Sequence, residues 1–143
     1  NVYYEEYKAK GLKHYDGEIG DFSAKALPPS ERANAKARSD LTAWMPAMNE
    51  LNSIAAAFIS GVADESTGFG IIGPSFCANV GFDYDLLSYV RVKDVCNAYD
   101  PIVNLFHVWA PRISRAELEL VRHNLDAKLG NLPSPAIRPI GRL

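Results

Sequence analysis

The sequence has no apolar run near the ~18–20 residues that a membrane-spanning helix needs. The longest stretch, Ile-Ala-Ala-Ala-Phe-Ile at 54–59, ends after six residues at Ser60 and Gly61. A membrane-spanning segment is therefore not expected.

Cysteine is equally scarce. Cys77 and Cys96 are the only two, 19 positions apart, and neither belongs to a C-x-x-C pair. Two thiols are too few for a four-ligand zinc site. We interpret both as small, reduced, buried side chains. A disulfide between them in an oxidising compartment is the alternative that the sequence leaves open.

Basic residues are rare in the middle of the chain. Residues 41–100 carry seven acidic and two basic side chains, a charge of −5, whereas residues 101–143 carry three acidic and six basic, a charge of +3. A basic excess this small does not supply the phosphate neutralisation on which nucleic-acid binding depends. No nucleic-acid partner is predicted.

What the sequence does contain is the composition of one packed domain. With 143 residues, 48% hydrophobic and 22% charged, the chain can bury a core without a metal or disulfide. We therefore predict a single helical domain over 1–143.

Apolar spacing predicts a mainly α-helical fold, with more than half of the residues in helices. The clearest apolar series recurs in steps of three and four: Leu41, Trp44, Met45, Met48, Leu51, Ile54, Ala55, Phe58, Ile59 and Val62. Because the series keeps its phase across Pro46, we predict one helix over 31–61, N-capped by Ser30, kinked at Pro46 and ended by Gly61. The alternative is one helix ending near Ala43 and a second with Pro46 in its first turn.

Shorter helices are predicted on both sides of this long one. Residues 2–10 form one that Gly11 stops, and residues 84–98 form another, for which a strand is the alternative. The nearly all-apolar stretch 101–109 predicts a buried helix, started by Asp100-Pro101.

The last helix is predicted to begin after Pro111. Ser114 and Glu117 have the spacing of a capping box, and Ile113 and Leu118 that of a hydrophobic staple. Gly130 suits its end.

Three segments lack a helical period. Residues 11–29 predict a long irregular connection, residues 64–83 a Gly-rich loop, and residues 131–143 an extended Pro-rich tail. Loops longer than ~12–15 residues tend to be functional or to lie on a partner.

The 64–83 segment contains two patterns that resemble catalytic motifs. Gly68–Gly73, GFGIIG, has the G-x-G-x-x-G spacing of a dinucleotide loop, but a polar segment precedes it and Pro74 removes an N–H after it. Ser75 lies in GPSFC, a nucleophile elbow without its last glycine. We therefore predict neither a dinucleotide-binding loop nor a nucleophilic serine in this segment.

The three histidines do not form a metal motif. His107 lies beside apolar residues and is interpreted as a core side chain, and His14 as a surface one. His123 follows Glu119 by four residues, without the E-x-x-H spacing of di-iron helices. No catalytic, cofactor-binding or metal-binding residue is assigned, and no cofactor is expected.

We expect the chain to be a non-catalytic structural accessory subunit of a larger multiprotein assembly. An extended segment such as 131–143, with three prolines among apolar residues, buries too little surface of its own to offset its ordering entropy. The tail and the 11–29 connection are therefore predicted to contact other protein subunits. The first residue, Asn1, suggests a removed leader or a trimmed fragment. A mitochondrial location is expected, with secretion as the alternative.

The alternative function is a small enzyme or ligand-binding domain that uses the 64–83 loop. Ser75, Cys77 and His107 would be its first candidate residues. It predicts a closed pocket at the loop, with a histidine or carboxylate of shifted pKa inside.

Overall fold

The computed structural model describes residues 2–93 and 97–130, and its α-helices are α1 (Val2–Ala9), α2 (Pro29–Ser39), α3 (Trp44–Ile59), α4 (Glu65–Phe82), α5 (Tyr84–Lys93) and α6 (Asp100–Gly130). The structure is 74% helical, and no strand occurs within the described residues. The mainly α-helical fold predicted from apolar spacing is confirmed.

The chain divides into two compact units, Asn1–Trp109 and Ala110–Leu143. The first unit holds the described core: α2 lies along α5, and α4 packs on α3 and on α5. The described part of the second unit is the remainder of α6. The 131–143 tail lies outside the described residues.

The single kinked helix predicted over 31–61 is two helices, α2 and α3, separated at residues 40–43. Pro46 falls in the first turn of α3, where a backbone N–H has no helical partner to lose, so the alternative considered for this segment is the observed one. Trp44 links the two helices across the break, because its indole N–H donates to the Ser39 carbonyl at 2.9 Å. The predicted N-cap at Ser30 is also wrong, since α2 begins at Pro29 with Pro28 as its N-cap.

Glycine in a left-handed conformation ends α1 and α3, as the sequence predicts. Gly11 has φ of +75° and Gly61 has φ of +83°. The N–H of Ala63 then bonds the Ala57 carbonyl at 3.0 Å, which closes the last turn of α3.

The Gly-rich loop predicted over 64–83 is wrong, because Glu65–Phe82 form α4. Each glycine costs a helix about 1 kcal/mol relative to alanine. Burial of Phe76 (2% exposed) and Val80 (0% exposed) on the inner side of α4 offsets that cost.

The two helices predicted around Pro111 are one, because α6 runs through this proline from Asp100 to Gly130. The capping box at Ser114 and Glu117 therefore starts no helix. Pro111 and His107 are exposed, so the helical bond that proline removes lies on the solvent side, where water can bond the His107 carbonyl.

The 11–29 connection is irregular, as predicted, apart from one 3-10 turn at Ala24–Ala26. It packs on its own chain through aromatic side chains. Phe22, 2% exposed, lies 4.8 Å from the Tyr84 ring, and the His14 ring lies 4.2 Å from Phe82. The Tyr15 N–H donates to the Phe82 carbonyl at 2.9 Å. These contacts order the connection without a second protein.

Across the described ranges, no helix is both long enough and apolar enough to cross a bilayer.

Candidate functional site

Three charged side chains with shifted pKa values, Arg38, Asp83 and Asp85, form a buried cluster, which we call the Arg38 cluster. Arg38 comes from the last turn of α2, Asp83 follows α4, and Asp85 lies in the first turn of α5. The arginine is fully buried, and Asp83 and Asp85 are 7% and 1% exposed. The cluster therefore joins three helices at the α4–α5 junction.

Both carboxylates bind the same guanidinium. Arg38 Nη1 donates to Asp85 Oδ1 at 2.7 Å, and Nη2 donates to Asp83 Oδ1. Asp85 also accepts from the Leu86 N–H at 2.8 Å and from the Asn34 amide at 3.3 Å. With one positive and two negative groups, the cluster carries a formal charge of −1 in a site shielded from water.

Helix α1 covers the remaining side of the guanidinium. Arg38 Nε donates to the Tyr3 hydroxyl at 2.9 Å, and the Tyr7 ring centroid lies 4.5 Å from the guanidinium carbon. Both tyrosines are buried. The contact with Tyr7 is of the cation–π type, which strengthens when the cation is desolvated.

Burial and the excess negative charge set the pKa values of the cluster. Burial is the main cause that raises the pKa of Asp83 to about 6; Arg38 opposes the rise and Asp85 adds to it. Burial also raises the pKa of Asp85. Burial alone would lower the pKa of Arg38, but Asp85 and Asp83 keep it above its ordinary value. The cluster can bind a proton, whereas its closed packing leaves no surface for a substrate.

The three residues named as first candidates for an enzyme lie on helices, not on a loop. Ser75 is exposed on α4, and its hydroxyl donates to the Ile72 carbonyl of the same helix at 3.2 Å. Cys77 is a half-buried free thiol whose pKa burial raises to about 11, which disfavours the nucleophilic thiolate. His107 is exposed on α6, so its interpretation as a core histidine is wrong.

Among the GFGIIG glycines, Gly68 serves the packing of α4 on α3. Their backbone belongs to α4, where the Gly68 N–H bonds the Asp64 carbonyl at 2.9 Å and is not presented to a phosphate. A Cβ on Gly68 would overlap the Phe58 ring of α3, whereas a Cβ on Gly70 would meet open space. Gly68 therefore permits the close approach of α3 to α4.

An open cleft of about 400 Å³ lies at the α2–α3 break, lined by Ser39, Asp40, Leu41, Thr42, Trp44, Met45 and Val90. Its apolar floor is Leu41, Trp44 and Val90, which are 8%, 7% and 3% exposed. Apart from Met45, which is 51% exposed, these side chains have little apolar surface left for a ligand to cover, so the cleft offers little binding energy. Among the described residues, no group of three or more His, Cys, Asp or Glu side chains could hold a metal ion.

The outer face of α4 consists of Thr67, Ile71, Pro74, Ser75, Ala78 and Phe82, all exposed. Their spacing places them within roughly 100° of the helix circumference. Ile71 is 74% exposed and Phe82 is 43% exposed. The helix has no charged residue from Ser66 to Phe82, although at the chain average of 22% charged a 17-residue stretch would carry about four. This face is uncharged, and Ile71 and Phe82 are its large exposed apolar side chains.

Sequence reasoning missed both features. The glycines of residues 64–83 predict a loop and so conceal the outer face of α4, whose signal in the sequence is the missing charge between 66 and 82. The signal for the Arg38 cluster was the pair Asp83 and Asp85 directly before the apolar Leu86-Leu87.

The comparisons with family models, with curated proteins and with solved structures found no match.

Proposed function

We propose that the chain is a non-catalytic structural subunit of a larger protein assembly, and that it docks through the outer face of α4. The observation that supports this proposal is the exposed Ile71 and Phe82 on the outer face of a helix that has no charged residue from Ser66 to Phe82. Exposed apolar patches on a folded protein are characteristic of protein-binding sites. Fully burying a side chain such as Ile71 contributes about 1.5–3 kcal/mol.

The groups with shifted pKa values fit a structural role better than a catalytic one. The Arg38 cluster is closed by α1, and Cys77 is protonated at neutral pH. The enzyme alternative depended on a loop over 64–83, which is a helix.

Other partner contacts belong to the same proposal. The composition of the 131–143 tail is the argument for docking through that segment. The 11–29 connection is anchored to its own chain through Phe22, so a partner there would meet only its exposed side, including Lys13 and Ile19. A mitochondrial compartment remains a prediction, which subcellular fractionation tests; recovery in the medium would contradict it.

Native fractionation of a source extract tests the assembly. We expect the chain in a particle several times heavier than 15.7 kDa. Ile71→Arg should release it, whereas Val62→Arg, at a residue that is 84% exposed outside α4, should not. A wild-type chain that elutes alone or as a pair would refute the proposal.

A further inference from the structure

We infer that α1 is a pH-sensitive lid over the Arg38 cluster, closed while the cluster holds a proton and more often open when both carboxylates are ionised. This inference goes beyond the proposed function, since it concerns the opposite part of the first unit's sequence and needs no partner on α4.

Helix α1 is a short element that is held by few side chains. Of its eight residues, Tyr3 and Tyr7 are buried, and five of the other six are exposed. Helices shorter than about 12–15 residues are marginal in water, so α1 depends on its contacts with the rest of the unit. Those contacts include an unfavourable one, because Glu6 Oε1 is buried without a hydrogen-bond partner. We therefore expect α1 to open before the other helices of this unit.

The closed lid covers a site whose net charge depends on one proton. Arg38 is shared by Asp83 and Asp85, so the cluster carries a formal charge of −1 when both are ionised and none when one is protonated. A net charge is costly where water is excluded. Opening α1 removes Tyr3 from Arg38 Nε and Tyr7 from the face of the guanidinium, which admits water to the cluster. Ionisation therefore favours the open lid, and protonation favours the closed one.

The groups that face the two carboxylates come from every element packed around them. They are Arg38 of α2, Tyr3 and Tyr7 of α1, and, on the Asp85 side, Tyr15 of the 11–29 connection. Burial is the main cause that raises the pKa of each of these tyrosines, and the two carboxylates keep the pKa of Arg38 above its ordinary value. These four groups therefore keep their charge between pH 4 and 8, and the carboxylates are the ones that titrate.

The direction and size of the effect follow from Asp83. Burial raises its pKa from 3.8 to about 6 under the closed lid, and full hydration after opening would return the pKa to 3.8. The proton's contribution to closing is fully present below about pH 4 and is lost as the pH rises through 6. The equilibrium constant for opening should therefore increase by about tenfold between pH 5 and pH 8.

Native-state hydrogen exchange of the purified full chain measures the lid directly. Rates at each pH are normalised to the intrinsic exchange rates, and a series of low urea concentrations separates local opening from global unfolding. We expect the α1 amides to exchange through a local opening that urea hardly affects and whose equilibrium constant rises about tenfold from pH 5 to pH 8. The α5 amides should exchange through an opening that depends strongly on urea.

Two variants and a matched control identify the groups responsible. Asp83→Asn should make the opening of α1 independent of pH, whereas Asp21→Asn, at an exposed carboxylate of the connection, should keep the tenfold rise. Tyr3→Phe removes the acceptor for Arg38 Nε and should increase opening about tenfold at both pH values. A wild-type opening constant that is the same at pH 5 and pH 8, or equal urea dependence for α1 and α5, would overturn the inference.

Discussion

Replacing Arg38 with methionine should destabilise the first compact unit by about 3–5 kcal/mol, the usual cost of removing one member of a buried ion pair. The change deletes the donors to Tyr3, Asp83 and Asp85 and leaves two buried carboxylates without a cation. Domains of this size are stable by about 5–15 kcal/mol, so the loss would be a large fraction of the total.

Urea unfolding followed by circular dichroism measures this loss. Arg32→Met on the same helix is the matched control, because Arg32 is exposed and donates to two backbone carbonyls; its cost should be about 1 kcal/mol. Adding Asp83→Asn and Asp85→Asn to the Arg38 variant should recover at least about 2 kcal/mol, since the unpaired charges disappear. If the Arg38 and Arg32 variants lose the same stability, the cluster is not a structural anchor.

Three further predictions follow from particular side chains. Gly68→Ala should lower stability by about 1–3 kcal/mol because the new Cβ displaces Phe58, whereas Gly70→Ala should raise it by about 0.5–1 kcal/mol; equal urea midpoints would contradict the packing role. Asp83 has a pKa raised from 3.8 to about 6, so the folded protein holds a proton that the unfolded chain releases. The stability that this proton contributes is fully present below about pH 4 and is lost as the pH rises through 6, by up to about 3 kcal/mol. Asp83→Asn should remove this pH dependence of the unfolding free energy, and an unchanged dependence would refute the raised pKa of Asp83. Cys77 should react with iodoacetamide at neutral pH about 100-fold more slowly than an exposed cysteine, and mass spectrometry of its peptide would reveal an ordinary rate if the thiol were not shielded.

Periodicity predicted the helical fold, but it misplaced helix boundaries at the α2–α3 break, at the glycines of α4 and at Pro111. Local costs of about 1 kcal/mol for glycine and about 3 kcal/mol for an interior proline argue for breaks at GFGIIG and at Pro111. Burial of Phe76 in α4 and of Trp109 in α6 outweighs those costs. Such burial depends on contacts distant in sequence, so a local pattern does not contain it.

The candidate sites likewise combine features that are local in sequence with features that depend on distant contacts. Arg38 and Asp83 are 45 positions apart, and nothing local pairs them. The 11–29 connection is predicted from sequence to contact a partner because it is a long irregular segment. The position of Phe22, which anchors it to Tyr84, is a tertiary property. The missing charge between 66 and 82 was readable in the sequence, but it defines a face only once α4 is known to be a helix.

Thiol labelling in the native assembly tests most directly whether the outer face of α4 is a docking surface. Ala78→Cys places a thiol on that face, and Ser60→Cys places one on exposed backbone outside it. With each rate normalised to the same variant unfolded in denaturant, we expect Cys at 78 to be protected in the native particle and Cys at 60 to be labelled freely. Equal, rapid labelling at both positions would show that nothing covers the face and would contradict the account.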